Sequence, residues 1–148
     1  MLKSRLDQDL KTALLAGDKV LATTLRGLKS VILYAEVAKG VREQGLGDEE
    51  IVALFSKEAK KRQESADLYR QGNNEERALA ELAEKRVIEA YLPSQMTDEA
   101  LIKLIEETIT TLGVSGPAAM GQVIGAVKQK TLGQADGSRI AQLVKERL

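Results

Sequence analysis

Apolar residues recur along this chain at helical spacing from one end to the other, and no stretch reads as a confident strand. In "DKVLATTLRGLKSVILYAEVAKG", Leu21, Leu25, Leu28, Ile32 and Ala35 fall on one side of a helix. Asp18 stands where an N-cap belongs, and Gly40 where such a helix stops. Gly27 interrupts the middle of that helix without being placed to end it.

The same pattern divides the whole chain into seven helices with short connections. The first covers about 4–16, with Leu6, Leu10, Ala13 and Leu14 on one face and Gly17 as its stop. The third starts from Asp48 as N-cap, with Glu49 and Glu50 favouring the helix dipole, and runs through Phe55 and Ala59 to Tyr69. The fourth carries Leu79, Leu82, Ala83 and Val87 to Tyr91, and Pro93 ends it. Thr97 caps the fifth, whose stripe is Leu101, Leu104, Ile105, Ile109 and Leu112. The sixth begins near Pro117 and ends at Gly133; Asp136 or Ser138 caps the seventh, where Ile140, Leu143 and Val144 face inward. "PSQMTDEA" is the natural boundary. The expectation is an all-α protein: an antiparallel helical bundle over 1–93 and a smaller three-helix subdomain over 94–148.

Charge and residue usage remove several kinds of function. Basic and acidic residues number 22 each, so no global field draws the chain to nucleic acid or membrane. With neither Cys nor His, the chain has no thiol nucleophile, no Cys/His zinc site and no Ser–His or Cys–His dyad. "DEE" at 48–50 reads as a helix start rather than a metal cluster, and no catalytic, metal-ligating or cofactor-binding residue stands out. "GAVKQKT" lacks the second glycine of a phosphate loop and lies inside a helix. The uncharged stretch 108–127 is broken by Gly113, Ser115, Gly116, Pro117 and Gln122, so it is not read as a membrane span. "MLKSRLDQDLKTALL" has no long apolar run and does not read as a signal peptide; absence of cysteine fits a cytoplasmic protein.

The sixth helix is unusual. Met120, Val123, Ile124, Val127 and Thr131 form its core stripe, whereas Gly121, Gly125, Lys128 and Leu132 fall together on an adjacent side. A glycine inside a helix costs about 1 kcal/mol relative to alanine. Two such glycines imply that a backbone comes close: either a neighbouring helix packs there, or a sugar-phosphate backbone does, with Lys128, Lys130, Arg139 and Lys145 supplying charge. From Gly113 onward, five basic residues stand against two acidic ones. Gly133 suits a left-handed helix end, and Gly137 leaves bare amides just inside the last helix, where an anion can be held. The Asp136 carboxylate would compete for those amides. "KKR" at 60–62 reads as solvated surface.

"TLRGLKSVILYAEVAKG", "KEAKKRQE", "YLPSQMTDEAL" and "MGQVIGAVKQKTLGQADGSRIAQLVKERL" resemble the YqeY family over essentially the whole chain. That family is similar to the C-terminal tail of GatB, the B subunit of the glutamine-dependent amidotransferase acting on Glu-tRNA or Asp-tRNA. The resemblance implies an all-helical two-part module that contacts the tRNA body away from its reactive end. The family's basic and glycine positions fall here on Gly121, Gly125, Lys130, Gly133, Ala135, Asp136, Gly137 and Lys145. Gln134 departs from the basic residue common in that loop, removing one phosphate contact, and Gly27 stands where a larger apolar residue is commoner. Kinase and glutaminase chemistry belong to other parts of the amidotransferase, so the resemblance implies no active site in this chain.

Three functions follow as expectations. One is a non-catalytic tRNA-binding module, working beside an amidotransferase or another translation component. A second is a protein-interaction adaptor whose glycine groove receives a partner helix. The third is a stand-alone carbon–nitrogen ligase using glutamine as amido donor. With four aromatic residues (Tyr34, Phe55, Tyr69 and Tyr91) and no Trp, base stacking is a poor basis for RNA recognition.

Overall fold

A computed structural model describes residues 1–148, and every regular element in it is a helix. The chain forms two compact units, Met1–Leu92 and Pro93–Leu148. The first contains α1 (Leu2–Leu15), α2 (Lys19–Lys39), α3 (Asp48–Gln71) and α4 (Glu75–Glu89). The second contains α5 (Asp98–Leu112), a 3-10 turn (Pro117–Ala119), α6 (Met120–Thr131) and α7 (Gly137–Arg147). Short connections force sequential helices to pack as neighbours within each unit.

Leu6, Leu25, Leu28, Ile32, Ile51, Phe55 and Ile88 form the centre of the first unit. Tyr91 meets Phe55 edge to face, with ring centroids 5.9 Å apart and planes at 81°. Its hydroxyl donates to the Asp9 carboxylate. Burial first, and then that carboxylate, push the Tyr91 hydroxyl well above the ordinary phenol range. Leu101, Ile105, Val123, Val127, Ile140, Leu143 and Val144 form the separate core of the second unit.

Caps read from local sequence are in place. The Asp18 side chain accepts from the Leu21 amide, and the Thr97 hydroxyl from the Ala100 amide. Gly40 and Gly113 end α2 and α5 in the left-handed conformation. Five local expectations are corrected. Gly47, not Asp48, is the N-cap of α3; the Asp48 carboxylate instead accepts from the Leu2 amide at 3.0 Å, capping α1, which has no cap of its own. On α1, Leu14 is half exposed, and the buried face is made by Leu6 and Ala13 with Leu10 packed beside them. On α4 it is Ala78 and Ile88 that are buried, while Leu79 and Ala83 are exposed. The small side chains Ala66 and Ala78 are both fully buried, which allows α3 and α4 to approach closely and leaves Leu79 outside, while Leu82 and Val87 of the expected stripe are half-buried, Val87 against the core. The helix itself ends at Glu89, short of Tyr91. Finally, α6 begins at Met120 after the 3-10 turn, and its left-handed terminal residue is Leu132 (φ 42°), followed by Gly133 at φ 86°.

One buried charge went unrecognised in the sequence. Glu36 is 1% exposed, yet its carboxylate is fully employed. It accepts from Lys3 Nζ at 2.8 Å, from the Leu46 amide at 2.9 Å and from Arg42 at 3.5 Å. The Lys3 hydrogen bond, then the Leu46 amide, hold its pKa below the usual glutamate value. It thereby ties α1 and the loop before α3 to the end of α2. The signal was present: Glu36 is four residues beyond Ile32, on the core-facing side of α2.

Candidate nucleic-acid interface

In α6 the core stripe lies where its spacing put it: Val123, Val127 and Thr131 are buried, with Met120 and Ile124 packed against them. The adjacent side, Gly121, Gly125, Lys128 and Leu132, is exposed. A Cβ built on Gly121 or Gly125 meets no atom within 4 Å. No neighbouring helix of the second unit fills the groove.

One turn beyond Gly125, the Lys128 side chain reaches across to the start of α7. A Cβ on Gly137 would lie 3.2 Å from Lys128 Cε and 3.3 Å from Nζ, so the missing side chain lets the lysine lie against the helix end. Asp136 is the N-cap residue of α7, but its side chain makes no capping hydrogen bond. The expected competition for the Gly137, Ser138 and Arg139 amides is therefore absent, and these first-turn N–H groups have no partner within the helix. Lys128 makes no ion pair in the chain. An ammonium beside the positive end of a helix dipole repels it; an anion placed between them is attracted by both.

The remaining cations are placed differently. Arg139 is held by Asp98 through two hydrogen bonds, at 3.1 and 2.6 Å, and donates to Gln142. The Arg139 hydrogen bond draws Asp98 below the ordinary aspartate range. Lys130 donates to the Thr108 hydroxyl at 3.3 Å, leaving its remaining donors to solvent. Lys145 is exposed, about two turns beyond Gly137, and has no carboxylate partner. Gly133 is part of the loop before α7; its carbonyl accepts from Gln95, and the Gln134 carbonyl accepts from the Met96 amide at 2.7 Å. The loop preceding the α7 amides is thus pinned to the start of the same unit. Of the residues marked in the sequence, the fold brings Lys128 and Gly137 together on the side carrying Gly121 and Gly125, and ties Arg139 elsewhere.

Arg62 of the "KKR" run pairs with Glu81 and Glu84 of α4 at 3.2 and 3.1 Å, and Lys61 with Glu58. No group of three carboxylates is gathered to hold a metal ion. No helix is long and apolar enough to cross a membrane.

Comparison with known proteins supplies the family. Residues 3–148 match the family described as Yqey-like protein. The chain belongs to the YqeY family. A relative in Kluyveromyces lactis, named altered inheritance of mitochondria protein 41, mitochondrial, is 29% identical over 131 residues, covering 86% of this chain and 69% of that protein. The all-helical YqeY chain is accordingly a module related to the tail of GatB, as its motifs implied.

Proposed function

We propose that the second unit of this YqeY-family protein binds the sugar-phosphate backbone of tRNA, without catalysis of its own, as an accessory of an amidotransferase or another part of the translation machinery in the cytoplasm. The observation that carries this reading is the open glycine side of α6 leading to an unpaired ammonium at an uncapped helix start. Each part has a mechanical role. Gly121 and Gly125 leave room for main chain or ribose to approach; the α7 amides and Lys128 together receive a phosphate; Lys145 adds charge from α7, and Lys130, on the opposite side of α6 against Thr108, adds only to the field of the unit. Arg139 serves structure through Asp98 and contributes little directly.

Three available cations bound the electrostatics. Neutralising about two or three phosphates gives a log–log salt slope of roughly −2 to −3, scaled by nearly one per contact. Recognition is of RNA shape and backbone, consistent with the shortage of aromatic side chains. Fluorescence anisotropy with labelled tRNA tests it. Binding at low salt is expected to weaken about tenfold or more when Lys128, Lys130 and Lys145 are changed together to Ala. Absence of affinity at low salt, or binding untouched by the triple change, would overturn the reading; a nuclease-resistant, salt-resistant protein partner would favour the adaptor. Purified chain supplied with glutamine and ATP is expected to show no turnover.

A further inference from the structure

The outward face of α2 departs from what a solvent-facing helix carries. Val20, Thr23, Gly27, Ser30, Tyr34 and Val37 are all exposed, Val20 by 75%, Tyr34 by 74% and Val37 by 61%. None is charged, over about 25 Å of helix. Their spacing alternates three and four, which is the a and d pattern of a left-handed coiled-coil seam rather than the wider stripe of a helix lying on a core. The opposite side of the same helix already buries Ala22, Leu25, Leu28 and Ile32 in the first unit. The helix therefore has, besides its core face, a second face without charge, on which Val20, Tyr34 and Val37 are the exposed large side chains. Gly27 is at the middle of the second face, where a Cβ would meet nothing within 4 Å of the chain.

We infer that this face pairs with the same face of a second copy, as an antiparallel helix dimer about a two-fold axis near Leu28 and Lys29. The order of side chains selects that occupant. In an antiparallel seam an a residue faces a d residue, and here the two-fold sets Gly27 against Ser30, Thr23 against Tyr34, and Val20 against Val37. Every pair matches: the smallest residues meet at the crossing, the large ring of Tyr34 meets a small side chain, and valines close both ends. An isologous interface needs this self-complementarity; an unrelated partner helix does not. The bordering cations also fit, since the flanking positions of an antiparallel seam meet their own kind, which sets Arg26 beside Leu33 and Lys19 beside Gly40 of the second copy, with no charge enclosed. Gly27, without a role in its own helix, becomes the point of closest approach. A single helix pair buries less than the roughly 1,200 Å² of a standard interface, so the dimer is a weak one, with Kd on the order of 10–100 µM.

Sedimentation equilibrium of the full chain from about 1 µM to about 1 mM spans that range. A monomer–dimer equilibrium is expected, weakened at least about tenfold by Gly27→Glu, which sets a carboxylate at the crossing. Because Gly27 borders open space, this variant keeps its fold, and its thermal unfolding is the control. A monomer throughout, or a dimer that Gly27→Glu leaves unchanged, overturns the proposal. The chain has no native cysteine, so the register can be read covalently. The double variant Thr23→Cys/Tyr34→Cys should oxidise to a linked dimer, whereas Thr23→Cys alone should not, its mates being about 16 Å apart along the helix against a Cα limit of about 7 Å. Equal cross-linking of both contradicts the register.

Discussion

At the residue scale, apolar burial holds each unit, and a few polar side chains tie together points far apart along the chain. Glu36 is the clearest case. Its pKa is lowered in the fold by Lys3 and the Leu46 amide, so its contribution is present above about 4.5, the ordinary glutamate value, and lost as pH falls through the lower folded value. Glu36→Gln removes that dependence. Thermal unfolding at neutral pH should show a lower Tm for the variant, and acidification toward pH 3 should narrow the gap between the two proteins. A gap that stays constant with pH would mean the carboxylate's charge contributes nothing. Asp18 and Thr97 were legible as caps because their partners are three residues away. The partners of Asp48 and Glu36 were not, because the amide and ammonium they serve lie 46 and 33 residues off, although the place of Glu36 on the core side of α2 was. A capping residue looks the same in sequence whether it serves its own helix or another.

At the scale of elements, periodicity located all seven helices and the buried stripe of α6, since both follow from about 100° of rotation per residue. It failed on α4, where the close approach permitted by Ala66 and Ala78 outweighed the larger Leu79 in deciding which side faces inward. The glycines of α6 belong to this scale as well. Since a Cβ at either position would meet nothing within 4 Å beyond the helix's own backbone, Gly125→Ala should stabilise the protein by up to about 1 kcal/mol, read as a higher Tm. The same change should weaken tRNA binding if the backbone approaches there. Gly137→Ala acts differently: its Cβ would displace Lys128 from the start of α7, lowering affinity with little change in Tm. A loss of stability in Gly125→Ala would show that the position is already occupied by the protein's own atoms.

At the scale of the whole molecule, two separate apolar cores follow from two runs of amphipathic helices parted by a proline-containing segment. Ile105→Ala, in the core of the second unit, should cost about 2–5 kcal/mol there. Amide exchange of Met1–Leu92 residues is the control; a matching loss of protection in that unit would show that the cores unfold as one. What the sequence could not disclose was which cations remain available, because Arg139 and Asp98 are 41 residues apart and nothing local announces their pairing. On the proposed function, the open side of α6 admits a nucleic-acid backbone. The most direct test is tRNA anisotropy with Gly121→Leu/Gly125→Leu, a variant that fills the groove without removing a charge. A folded protein whose affinity falls about tenfold or more is the predicted result; a folded protein that binds tRNA as tightly as before would contradict the claim.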